Sequence, residues 1–120
     1  MANTEHLSIL DEGVKAWNVW RIENPDIKPD LQGADLTKRE LSQVDFRDAN
    51  FYEANLRESI FTQANFEAAI LYRSDLCMTD LTGANLSRVD FYKTNLYTAN
   101  LSGANLRYSH LYKADMQESI

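Results

Sequence analysis

The chain has 120 residues with 25% charged and 44% hydrophobic side chains, the balance of a soluble globular protein of one-domain size. Its net charge of -6 argues against general binding to nucleic acid or to an anionic membrane surface. One cysteine, Cys77, excludes an internal disulfide framework and suits a reducing, cytoplasmic setting.

The N-terminus, "MANTEHLSILDEGVKAW", has neither a basic leader nor an unbroken apolar core, so it does not read as a signal peptide. Leu7, Leu10, Val14 and Trp17 fall at i, i+3, i+7 and i+10, which predicts one helix with a single apolar face. That helix should end near Asn24, because Pro25 disfavours helical geometry in the residue before it. Residues 1–30 are thus expected to form a capping helix and an extended lead-in. Trp17 and Trp20 would pack that cap on the body of the protein, with a ligand pocket as the less favoured reading.

From residue 31 the pattern changes. Every fifth residue from Leu31 to Met116 is Leu, Phe or Met, 18 positions in unbroken phase that include all five Phe. Two places before each stands a small residue in 16 of the 18 units, the exceptions being Pro29 and Arg39. One place before stands Asp or Asn in 14 of the 18. A five-residue step spirals around every face of an α-helix and alternates between the faces of a flat strand. Only a backbone that bends after each short extended piece can bury the series. Asp and Asn then serve as bend residues that bind nearby backbone. Gly33, Gly83 and Gly103, each two places after a central residue, mark bends that need a permissive backbone.

The units "GADLTKREL", "DANFYEANL", "TGANLSRVDF" and "LSGANLRYSHL" resemble those of the pentapeptide-repeat family, over residues 29–120. The opening "GVKAWNVWR" also looks like that of bacterial members, and the family's abundance in cyanobacteria hints at such a source. The resemblance implies an all-β solenoid over residues 31–120. Its form would be a right-handed quadrilateral parallel β-helix with four units per coil, hence about 4.5 coils for 18 units. At roughly 4.8 Å per stacked strand the tower would be about 22 Å long.

With four units per coil, residues 20 apart share a column. Tyr52, Tyr72, Tyr92 and Tyr112 then form one ladder, flanked by Glu53, Arg73, Lys93 and Lys113. Self-stacking of the rings is the plainer reading, and a partner-binding surface made of Tyr52, Tyr72, Tyr92, Tyr112, Arg73, Lys93 and Lys113 the sharper one. Ser42, Thr62, Thr82 and Ser102 form a hydroxyl column, while Arg47, Glu67, Ser87 and Arg107 form one of mixed sign. Ile60 and Ile70 break the Asp/Asn rule and should be partly exposed. Arg39, at a small inward position, should sit under the helix and reach an acid such as Glu40.

Nothing in the chain forms a catalytic constellation. His6 and His110 should lie far apart. The column Asp35, Asn55, Asp75, Asn95, Asp115 reads as bend residues rather than a cation ladder. Cys77 should point outward beside Arg57 and Tyr97, with no base on its face. No cofactor, metal, nucleic acid or membrane is implied, and the protein is read as a non-enzymatic module for a protein partner. Some relatives in the family mimic duplex DNA and occupy the DNA site of gyrase. Residues 31–120, however, hold 12 Asp/Glu against 9 Lys/Arg, a net of -3. A duplex of that length carries about 13 negative charges, at one per roughly 1.7 Å. The sequence stops in mid-coil at Ile120, leaving Leu101, Leu106, Leu111, Met116 and Ile120 as an uncapped edge. That edge predicts a C-terminal homodimer or a longer parent protein.

Overall fold

The computed structural model describes residues 1–120. Two helices come first, α1 (Thr4–Asp11) and α2 (Val14–Glu23). Asn3 caps α1, its Oδ1 accepting the amides of Glu5 and His6 at 2.9 and 3.1 Å. The single helix expected from the apolar spacing is therefore divided. The break lies at Gly13, whose φ of +109° no helix accommodates. The expected end holds, since α2 stops at Glu23 with Asn24 as its C-cap. The inward residues are also those the spacing picked out. Leu10 and Trp17 are wholly buried, and Leu7 and Val14 lie packed against the same core.

The remainder winds in laps of 20 residues. Fourteen isolated parallel bridges each join residues 20 apart, from Asp30 with Asn50 to Asn95 with Asp115. No continuous strand forms. Each side of a lap is so short that only one residue is bridged before the backbone bends again, so the expected β character consists of single bridges joined by turns.

Every residue two places after a central one has positive φ, between 56° and 69°, from Gly33 to Glu118. In 16 of the 18 units the amide three residues after the centre donates to the central carbonyl, as from Ala54 to Phe51 at 2.8 Å. Positive φ at the third place of such a turn, and not at the second, is the type II geometry. Four turns make one lap.

Asp and Asn act at these turns as their chemistry suggests. All 14 of them, and Glu40 besides, accept the amide two residues ahead, as Asn50 does from Tyr52 at 3.0 Å. Ile60, Ile70 and His110 have no oxygen to offer, and the amides of Thr62, Tyr72 and Tyr112 lack that bond.

Inside, the centres from Leu31 to Leu96 are at most 2% exposed. Phe46, Phe51, Phe61 and Phe66 meet edge-on or tilted, with ring centroids 4.8–6.3 Å apart. Each such burial stabilises the fold by roughly 1.5–3 kcal/mol. The helices close one end of this core. Trp17 meets Phe46 edge-on at 5.6 Å and donates its indole N–H to the Asp45 carbonyl at 2.7 Å. Arg21, buried beside it, donates to the same carbonyl at 3.0 Å, and burial lowers its pKa against the pull of Asp45. The whole molecule measures 36 × 26 × 26 Å.

Arg39 does lie under the helical segment, but Glu40 is not its partner. Its guanidinium reaches the carboxylate of Asp11 at 3.1 Å and the carbonyl of Leu10 at 3.4 Å. Glu40 is instead occupied as a bend acceptor for Ser42.

Candidate interaction surface

The 20-residue lap fixes which outward side chains share a column. Tyr52, Tyr72, Tyr92 and Tyr112 stand one above another. Their rings are 5.3 Å apart and stacked between Tyr52 and Tyr72, 4.9 Å and stacked between Tyr72 and Tyr92, and 5.7 Å and edge-on between Tyr92 and Tyr112. The first three are half-buried by one another, and Tyr112 is exposed. The ladder is thus self-stacked and open to solvent along its outer edges.

Cations flank it. Lys93 Nζ lies 5.3 Å from the Tyr92 ring and Lys113 Nζ 5.5 Å from the Tyr112 ring. Arg73 is exposed, and its hydrogen bond to Tyr52 holds its guanidinium above the usual value. Neither lysine is ion-paired. All three cations occupy the positive-φ turn position, φ 57–60°, so the turn itself places them at the corner beside the ladder.

The opposite corner of this face was not singled out by the sequence reading. It carries Asp48, Ala68, Arg88 and Tyr108 in one column, with Arg88 5.6 Å from the Tyr108 ring and 3.6 Å from Glu67. The same period of 20 would have found it. Ile70, 40% exposed, stands in the middle of the face between the two corners.

The other candidates separate. Ile60 is exposed as expected, on another side. At the C-terminal edge Leu101 is still buried, Leu106, Leu111 and Met116 are half-buried, and Ile120 is exposed. The amides of Leu106, Leu111 and Met116 have no acceptor, whereas those of Leu86, Phe91 and Leu96 donate to the adjoining lap. Cys77, in the outward column of Arg57 and Tyr97, is only 4% exposed.

Trp17 is wholly in the core. Trp20 is half-buried, 5.0 Å from the rings of both Trp17 and His6. Its outer edge joins Ile9, Ala16 and Val19 in an open groove of about 550 Å³, rimmed by Glu12 and Lys15. His6 is buried too, and its Nδ1 accepts the Asp30 amide at 3.0 Å, far from His110. No three His, Cys, Asp or Glu side chains are placed to hold a metal ion. No helix is long and apolar enough to cross a membrane.

The family described as Pentapeptide repeats (8 copies) matches residues 30–67, 59–97 and 84–120. No curated protein sequence matches the chain. Among solved structures it is similar to HetL from the cyanobacterium Nostoc sp. strain PCC 7120, a pentapeptide repeat protein involved in heterocyst differentiation regulation. That likeness has 28% identity and a TM-score of 0.75, over 78% of this chain and 45% of HetL. A pentapeptide repeat protein of the Arabidopsis thaliana thylakoid lumen matches with 31% identity and a TM-score of 0.73, over 75% of this chain and 63% of that one. Rfr23 from the cyanobacterium Cyanothece 51142 matches with 25% identity and a TM-score of 0.66, over 85% of this chain and 91% of Rfr23. The chain thus spans less than two thirds of the first two relatives. The five-residue period, the 20-residue lap and the match across residues 30–120 agree: the chain belongs to the pentapeptide-repeat family.

Proposed function

We infer that this protein is a non-catalytic interaction module. It is a right-handed quadrilateral β-helix that offers one flat side, the tyrosine ladder with Arg73, Lys93 and Lys113, to a partner protein. The observation that carries this reading is the ladder itself. Four tyrosines and their flanking cations are held in line by a backbone that repeats every lap. Tyrosine and arginine, here the ladder and Arg73, are among the residues that contact surfaces favour. Such a rigid side loses little conformational entropy on binding. HetL, involved in a regulatory process, supports a regulatory role for the module.

A photo-crosslinking residue at position 92, in the ladder, tests the reading against one at position 82, in the hydroxyl column. Crosslinks to another protein chain in cells from position 92 and not from 82 are expected. No product from 92, or equal products from both, would remove the ladder as the contact side. Duplex mimicry is the weaker alternative, because a net charge of -3 over residues 31–120 falls far short of a duplex. Inhibition or protection of gyrase at low micromolar protein in a supercoiling assay would reverse that ranking.

A further inference from the structure

The tyrosine side is complementary to itself. Both of its corner columns change sign along the tower. One runs Lys28, Asp48, Ala68, Arg88, Tyr108, and the other runs Gly33, Glu53, Arg73, Lys93, Lys113. The column beside the ladder runs Asp30, Asn50, Ile70, Asp90, His110. In both corner columns an acid, Asp48 or Glu53, therefore stands two laps from a cation, Arg88 or Lys93. Between them lie Ala68, the exposed Ile70 and Tyr72.

Consider a second copy laid face to face with its tower reversed, about a two-fold axis through the lap that holds Ile70 and Tyr72. Such an axis sends each column onto itself and inverts its order. Asp48 then meets Arg88 of the second copy, Glu53 meets Lys93, and Asp30 meets His110. Tyr52 meets Tyr92, while Ile70 and Tyr72 meet their own counterparts at the centre. Each pair occurs twice. Arg73 is the one cation that faces itself. With the towers parallel, cation would face cation. The isologous, antiparallel arrangement is the one these charges permit.

We propose that the tyrosine side is the contact of an antiparallel homodimer, with Ile70 and Tyr72 on the two-fold axis and Asp48–Arg88 and Glu53–Lys93 bridging the copies at either side. This rests on the reading of that side as a contact surface, and it names a second copy of the chain as the occupant. One side of a 36 × 26 Å body offers at most about 900 Å², close to the ~800 Å² per partner of an ordinary interface. Rim charges of this kind set register and specificity more than strength. The dimer should therefore dissociate in the micromolar range.

Sedimentation equilibrium of the full chain, from about 1 μM to 1 mM, reads the association directly. The wild-type chain should pass from monomer to dimer across that range. Glu53→Lys and Lys93→Glu should each weaken the dimer about tenfold or more, and the double variant should return to within about threefold of wild type. The substituted groups are exposed, and a thermal melt of each variant checks that it is folded. Ile70→Asn should weaken the dimer while raising the melting temperature, because the introduced carboxamide oxygen would accept the idle Tyr72 amide. Ile60→Asn, on another side, should leave the association unchanged.

A monomer at 1 mM overturns the proposal. So does a dimer indifferent to Glu53→Lys, a double variant that fails to recover, or a dimer abolished instead by polar substitution of Leu106 and Leu111 at the C-terminal edge. A monomer whose position 92 still crosslinks to another protein would leave the contact side standing and remove only the second copy as its occupant. A monomer with no crosslink would remove both.

Discussion

The hydroxyl of Ser59 completes a turn that Arg39 leaves open. The Arg39 amide does not reach back to Leu36 as its counterparts in 16 other units do, and donates instead to Ser59 Oγ at 2.9 Å. The Ser59 hydroxyl in turn donates to the Leu36 carbonyl. One side chain from the next lap therefore relays the missing bond, and Arg39 is free to reach Asp11. Ser59→Ala would leave a buried donor and acceptor unsatisfied and should cost about 1–3 kcal/mol in denaturant melts. Ser74→Ala should cost less, because the Leu71 carbonyl it serves also accepts from Thr94. Equal losses from the two substitutions would contradict the relay.

Two bends lack their oxygen through Ile60 and Ile70. Replacing either with Asn should supply an acceptor for the Thr62 or Tyr72 amide and stabilise the protein by about 0.5–1.5 kcal/mol. Differential scanning calorimetry would show a higher midpoint for each. A fall for both would mean that the bend bond adds nothing here.

Fifteen non-glycine residues hold positive φ, and each carries the strain of a side chain in a left-handed turn. Met78 is one, with φ +61° and an exposed side chain. Met78→Gly should be neutral to stabilising, by up to about 1 kcal/mol, the released strain outweighing the added freedom of the unfolded chain. The converse, Gly83→Ala, should destabilise by about 1–2 kcal/mol. There φ is +68°, and an added Cβ would lie 3.2 Å from Gln63 Cγ. Chemical melts of both variants check the pair of signs.

Acid should unfold the protein through its bend carboxylates. Hydrogen bonds from the Thr82 side chain and amide hold Asp80 below the ordinary 3.8, and Thr37 does the same for Asp35. Desolvation is the largest influence on Asp45 and pushes it up, but the bonds from Arg47 and the nearby Arg21 outweigh it, so its value too is lowered. A folded value below the unfolded one means stability is fully present above about pH 4 and drains away as pH falls through the folded values. Asp80→Asn keeps an acceptor for the Thr82 amide and removes the charge. It should change stability little at pH 7 and flatten the decline between about pH 4 and 2. An unchanged acid limb would assign the titration to other groups.

The central series and its small companions were legible because burial of one residue in five admits so few backbones. Extending the arithmetic to a period of 20 then placed Tyr52 over Tyr72 from the sequence alone. The break at Gly13 was less legible. Leu7, Leu10, Val14 and Trp17 keep a helical phase across it, and a spacing argument does not register a glycine whose φ changes while the buried side does not. Arg39 was misassigned for a related reason. Its neighbour in sequence, Glu40, is committed to a bend, and Asp11 comes close only once the helices have folded back over the first lap. The same folding hid Cys77, because exposure depends on side chains from laps above and below. Asp48 and Arg88 were present in the sequence as a column with opposite ends, but that pattern acquires meaning only when the flat side between the corners is in view.

Because each turn advances the winding by a quarter, the tower can be edited at two distinct scales. Removing 20 residues would shorten it and leave every outer column aligned. Removing five would keep Leu and Phe inside but rotate everything downstream by 90°, so that Tyr92 and Tyr112 would no longer stand beneath Tyr52. The folding code and the surface code of this protein are thus written at different wavelengths, and mutation can shift one while sparing the other.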